Sequence, residues 1–151
     1  MMAVSTLIVS SALLVLTQAA PASQASAAWL TGLEGTWVIL DPRPGEADSV
    51  LTVTREKHFL VLKAVGGGVE FVSRYDLSGA ELRETNFGRT ATKRTRIEGA
   101  KMITSIWDDK GASGPPARVE TRFLESADRM VTELADAPGG RVFDRGVLRR
   151  K

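Results

Sequence analysis

The 151-residue chain contains no cysteine. No disulfide holds it and no thiol is on hand for catalysis or metal ligation, although oxidising compartments permit disulfides without requiring them, so the absence does not fix the compartment. Histidine occurs once, as His58, which sets aside a multi-histidine metal site or a histidine-ligated zinc centre. Serines are plentiful, but the G-x-S-x-G pattern of a nucleophile elbow is missing, and a Ser/His/Asp set would have to be built on His58 alone. Aromatics make up only 6% of the residues, so a core must rest on Val, Leu and Ile, with Trp29, Trp37, Trp107 and five Phe as its large pieces. An excess of one charge is lacking too: 20 Lys and Arg stand against 18 Asp and Glu, a net of +2, too little to argue for a nucleic-acid partner. The expectation is a protein that is not an enzyme, with no catalytic residue, metal or cofactor.

Charge is missing altogether from residues 1–28. Inside that stretch Leu7 to Leu16 is an apolar block of about ten residues, the size of a signal-peptide core and short of the roughly 20 that a membrane span needs. Small residues then recur at cleavage-site spacing in Ala25-Ser26-Ala27 and in Ala20-Pro21-Ala22. The reading is a signal peptide over residues 1–27, cleaved after Ala27 or alternatively after Ala22, and one domain over residues 28–151. No Cys follows the block to carry a lipid, so the mature protein is expected to be periplasmic or secreted, with no stable membrane anchor. An uncleaved anchor helix is the competing reading, since Ala3 to Ala20 is a run of eighteen mostly apolar residues, and the first residues lack the Lys or Arg that a signal peptide usually carries.

The remainder reads as short strands between turns. A strand opens at Leu33-Glu34-Gly35-Thr36-Trp37 and is stopped by Asp41-Pro42-Arg43-Pro44-Gly45, where two prolines and a glycine forbid a ladder. Further β-prone runs follow over 49–56, 58–65, 69–77, 83–97, 101–107, 117–125, 129–136 and 141–149, with Gly66-Gly67-Gly68, Ser78-Gly79 and Glu98-Gly99 among the turns. No helical run competes after residue 28. Nine short runs with mostly short connections predict an all-β fold, a single antiparallel up-and-down β-barrel of about 8–9 strands. The two faces of the later strands segregate only in part, as a barrel with a polar or occupied interior allows.

Gly35-x-Trp37 on the first strand, with Asp41-Pro42 and Tyr75-Asp76-Leu77-Ser78-Gly79, resembles the small exported lipocalin-like domains of bacteria, in the lipocalin and calycin superfamily, over roughly residues 30 to 149. The resemblance implies an exported protein that binds a small hydrophobic or carboxylate ligand. It also implies that Gly35 and Trp37 close one barrel end under a cation of the last strand, Arg145 or Arg149. By analogy with fatty-acid-binding barrels, interior arginines would neutralise a carboxylate. The candidates are Arg74, Arg94, Arg96, Arg122 and Arg145, of which Arg94 and Arg96 belong to the densest basic run, Arg89 to Arg96. The competing reading of that run is a charged outer face that prevents aggregation. For the whole domain it is a protein-interaction or inhibitor barrel with a packed interior. Asp108-Asp109 lacks the acidic spacing of a calcium loop, and Gly66-Gly67-Gly68 lacks the Lys and helix of a phosphate loop. The oligomeric state is not legible.

Overall fold

Ten strands form one antiparallel sheet in a computed structural model that describes residues 22–46, 48–108 and 111–151. A helix, α1 (Ala22–Leu33), precedes β1 (Gly35–Ile39), β2 (Val50–Glu56), β3 (Phe59–Gly66), β4 (Val69–Asp76), β5 (Glu81–Asn86), β6 (Arg89–Glu98), β7 (Lys101–Asp108), β8 (Arg118–Ser126), β9 (Arg129–Ala135) and β10 (Val142–Arg150). Successive strands pair as a meander, and β1 also pairs with β10. The sheet therefore curls into a nearly closed barrel with one seam, between β4 and β5. The expected apolar leader block falls in residues 1–21, outside the described residues.

Two features differ from the sequence expectation. The run over 83–97 is two strands, not one, which raises the count to ten. It breaks at Phe87-Gly88, whose φ values of 51° and 73° make the two-residue turn that suits the right-handed twist of a hairpin. Glycine adopts that conformation freely, whereas a bulky residue such as Phe87 rarely does, so the composition conceals the turn. The second difference is α1 itself, whose first half lies in the expected signal peptide and whose second half lies in the stretch read as free of helix. Its Leu30 and Leu33 are buried against the barrel, and this contact stabilises a helix too short to persist alone.

α1 plugs one end. The turns joining β2 to β3, β6 to β7 and β8 to β9 lie there, and the packed core gathers around them: Leu33, Trp37, Val53, Leu60, Met102 and Met130 are all at most 1% exposed. Trp37 Nε1 donates to the Leu33 carbonyl at 2.9 Å. The guanidinium of Arg150 lies 4.3 Å from the Trp37 ring and donates to the carbonyls of Gly32 (2.6 Å) and Glu34 (2.9 Å). Gly35, at φ 131°, leaves room for this, because a Cβ there would stand 2.6 Å from Arg150 Nη1. The cation over Trp37 is thus Arg150. The expected Arg145 and Arg149 are exposed: Arg150 pairs with Trp37 in register and shares its face of β10 with buried Leu148, while residues 145 and 149 alternate to the outside.

The opposite end is open. The connections after β1, β3, β5, β7 and β9 surround it, and so do the exposed large apolar side chains Val65, Val69, Phe87, Val142 and Phe143. At the seam, where β4 and β5 make no ladder, the Glu84 carboxylate takes over. It accepts from the Arg74 amide (3.0 Å) and from Ser73 Oγ (3.2 Å), satisfying an edge amide of β4 that would otherwise lack a partner.

Candidate functional site

From the open end the barrel is hollow. A chamber of about 580 Å³ reaches inward from a mouth that includes Phe87 and Arg89, past Phe71, Ala91, Ile106 and Leu134, to a polar floor. A second chamber of about 300 Å³ runs from Arg43 and Asp144 to Arg122. The two share Phe71, Ser73, Tyr75 and Glu120. Hundreds of cubic ångströms is the usual size for a small-molecule pocket, and it counts against a packed interior. At the mouth Phe71 and Phe87 stack with ring centroids 5.9 Å apart, which gives exposed Phe87 a partner in its strained turn.

The floor is built from neighbouring strands whose side chains alternate inward. β6 supplies Lys93, buried, whose ammonium donates to Glu84 at 2.6 Å and to Ser73 Oγ at 2.8 Å. β8 supplies Arg122 and Glu120, whose side chains are 7% and 13% exposed and which pair at 2.8 Å. β4 places Tyr75 between the two cations, its ring centroid 4.4 Å from Lys93 Nζ and 5.8 Å from the Arg122 guanidinium carbon. Its hydroxyl bonds with the side chains of Ser73 and Glu120. Arg122 Nε is buried without a hydrogen-bond partner.

Burial, then the negative charge of Glu120, push the Tyr75 phenol well above its ordinary value, so it stays a neutral hydroxyl. Burial alone would raise the Glu120 carboxyl, but the charge and hydrogen bond of Arg122 outweigh it and hold that carboxyl below its ordinary 4.5. For Arg122 burial works against the charge and Glu120 more than restores it. Lys93 goes the other way: desolvation lowers its ammonium in spite of Glu84. Asp76, which accepts from the Ser78 hydroxyl (2.6 Å) and amide (2.9 Å), is also lowered. A carboxyl lowered in the fold stabilises it above the unfolded value and gives up that contribution as pH falls through the folded value. Melting temperature should therefore decline as pH drops below about 4.5, and Glu120→Gln should flatten the decline. An unchanged slope in that variant would refute the role given to Glu120.

Of the five arginines singled out from the sequence, only Arg122 reaches the interior. Arg94 and Arg96 pair on the outside with Glu81 (3.2 Å) and Glu98 (2.5 Å). Arg145 pairs outside with Glu125 and Glu133, both at 3.5 Å, and Arg74 is exposed. The interior cation of β6 is Lys93, because the inward face of that strand is the one carrying Ala91, Thr95 and Ile97. Lys93, Glu84, Glu120, Tyr75 and Ser73 were not singled out by sequence reasoning. His58 is half exposed beside Asp76, 3.7 Å away, at the closed end and away from the chambers. Among the described residues no group of three or more His, Cys, Asp or Glu is placed to hold a metal ion.

No family model and no curated protein matches the chain. Solved structures do. A fatty acid transporter, REP1-NXSQ, aligns at TM-score 0.57 and 16% identity over 80% of this chain and 97% of its own. Human cRBP IV aligns at TM-score 0.58 and 15% identity over 79% of this chain and 98% of its own. A point mutant of the transporter, with one tyrosine changed to phenylalanine, aligns at TM-score 0.59, also at 16% identity, with 80% of this chain and 99% of its own covered. At such identities the likeness is one of fold: a nearly closed, lipocalin-like antiparallel β-barrel.

Proposed function

We propose that the protein is an exported carrier of a small, largely apolar molecule, held in the barrel with its polar end toward Tyr75. The observation that carries this reading is the 580 Å³ chamber, with apolar walls above a polar floor built entirely from side chains. Apolar surface exposed around the mouth fits the same reading, since large exposed apolar groups gathered in one place commonly mark binding sites. The neighbouring folds include a fatty acid transporter, which supports a hydrophobic ligand class here without naming one. Arg122, which lines the second chamber, is the candidate that remains from the expected arginines, and Lys93, Tyr75 and Ser73 of the larger chamber join it.

Export rests on the charge-free, apolar first 28 residues. Cleavage after Ala22 would keep nearly all of α1 (Ala22–Leu33), whereas cleavage after Ala27 would remove its first half. Amino-terminal sequencing of the protein from its own compartment decides between them, and an intact Met1 would refute export by this route.

Binding is tested by mass spectrometry of organic extracts of the natively purified protein, with a melting-temperature screen of fatty alcohols, esters, acids and isoprenoids. A ligand at about a hundred times its Kd should stabilise by about 2.7 kcal/mol. No extracted molecule and no shift across the screen would refute the reading.

A further inference from the structure

The polar floor is electrically balanced, and this bears on what it can receive. Each interior cation already has its own carboxylate: Lys93 has Glu84 at 2.6 Å and Arg122 has Glu120 at 2.8 Å. Tyr75 between them is an uncharged phenol, in hydrogen-bond contact with Ser73 and Glu120. We infer that the molecule taken by this cavity ends in an uncharged hydrogen-bonding group, such as a hydroxyl, ketone or ester, and that a free carboxylate is selected against. The inference rests on the small-molecule reading of the chamber.

A carboxylate at the floor would be a third anion beside two acids whose cations are occupied. Arg122 Nε could hydrogen-bond to it, but the charge of Arg122 is already balanced by Glu120 at 2.8 Å, so the floor would become net negative unless one of the two acids left. Glu84 is not free to leave, since Lys93, Ser73 Oγ and the Arg74 amide all donate to it and it closes the seam between β4 and β5. Glu120 is held by Arg122 and Tyr75 together, and removing one member of a buried pair leaves the other charge uncompensated. A neutral oxygen asks for much less. Tyr75 and Ser73 line the chamber and can accept from a ligand hydroxyl, their own protons being directed at Glu120 and Glu84, while Arg122 Nε, which has no partner of its own, can donate to a neutral oxygen.

The mouth repeats the balance. Arg118 pairs with Asp108 at 3.3 Å and Arg43 pairs with Asp144. Among the described residues lining the chambers, the cation with no acid partner is Arg89, which is exposed at the rim, where water screens its charge.

The test is a matched series sharing one alkyl chain: decanol, methyl decanoate and decanoate, each displacing an environment-sensitive apolar probe at neutral pH. The alcohol and the ester should bind at least about tenfold more tightly than the acid, a difference of about 1.4 kcal/mol. Glu120→Gln, which keeps the size and removes the charge, should free Arg122 and erase or reverse that preference. Decanoate binding as tightly as decanol in the natural protein overturns the inference, as does an unchanged preference in a folded Glu120→Gln variant. Should that variant not fold, the ratio in the natural protein decides alone. Binding by no member of the series overturns the reading of the chamber as a ligand site, which is a separate failure.

Discussion

Trp37→Ala is expected to lower stability by about 3–5 kcal/mol, the usual range for emptying a large buried aromatic site. Three contributions act together. The ring is fully buried among Leu33, Leu60, Met102 and Met130, its N–H satisfies the Leu33 carbonyl, and its face receives Arg150. Arg150 in turn ties α1 to the barrel through the Gly32 and Glu34 carbonyls, so losing the ring also loosens the plug. In urea the midpoint should fall while the slope stays nearly constant, the mark of lost stability without a changed unfolded state. Trp37→Phe keeps most of the volume and loses the N–H, and should cost much less. A loss below about 1 kcal/mol for the alanine variant, less than a typical hydrogen bond and a packed ring together contribute, would show that this end is not closed as described.

The second large effect concerns the floor. Arg122→Met should cost about 3–5 kcal/mol, because Glu120 would be left buried and charged without its cation. With Arg122 gone, burial dominates and the Glu120 carboxyl rises above its ordinary value instead of lying below it. The deficit relative to the natural protein should therefore shrink as pH falls and Glu120 takes up a proton. Combining Arg122→Met with Glu120→Leu should recover much of the loss at neutral pH, since apolar groups of similar volume often replace a buried ion pair without cost. Chemical denaturation of the two single variants and the double variant checks this. A double variant as unstable as Arg122→Met alone would mean that the arginine acts through packing and not through Glu120.

The barrel was legible in the sequence because its turns are written in glycine and proline and its strands in Val, Ile and Thr. Gly66-Gly67-Gly68, Glu98-Gly99 and Ala137-Pro138-Gly139 each mark a junction between observed strands. The hidden turn was the one that places Phe87 in a left-handed conformation, against the preference of its side chain. The helix was missed because its stretch is rich in Ala and Ser and reads equally well as the tail of a leader. In both cases tertiary contacts, Phe71 on Phe87 and the barrel end on Leu30 and Leu33, hold what local preference does not announce.

The floor was less legible, for a different reason. On β8 the apolar Val119 and Phe123 share a face and invite the conclusion that they point inward. Instead Glu120 and Arg122 do, beside Leu124, which packs on the core. Hydrophobicity misleads where the interior is polar, because the buried charges compensate one another and need no apolar neighbours. On β6 and β10 the clue was present. Ala91 and Ile97 flank Lys93 at even spacing, and Leu148 shares parity with Arg150, so following the apolar partner of each cation separates inner from outer.

The most direct measurement is saturable binding of an environment-sensitive apolar probe to the natural protein and to Ala91→Trp, in which an indole grows from the wall of the 580 Å³ chamber into its space. The account predicts one-to-one binding by the natural protein and none by the variant, at a melting temperature that does not fall. Equal binding by a folded Ala91→Trp, or no binding by the natural protein, would contradict it.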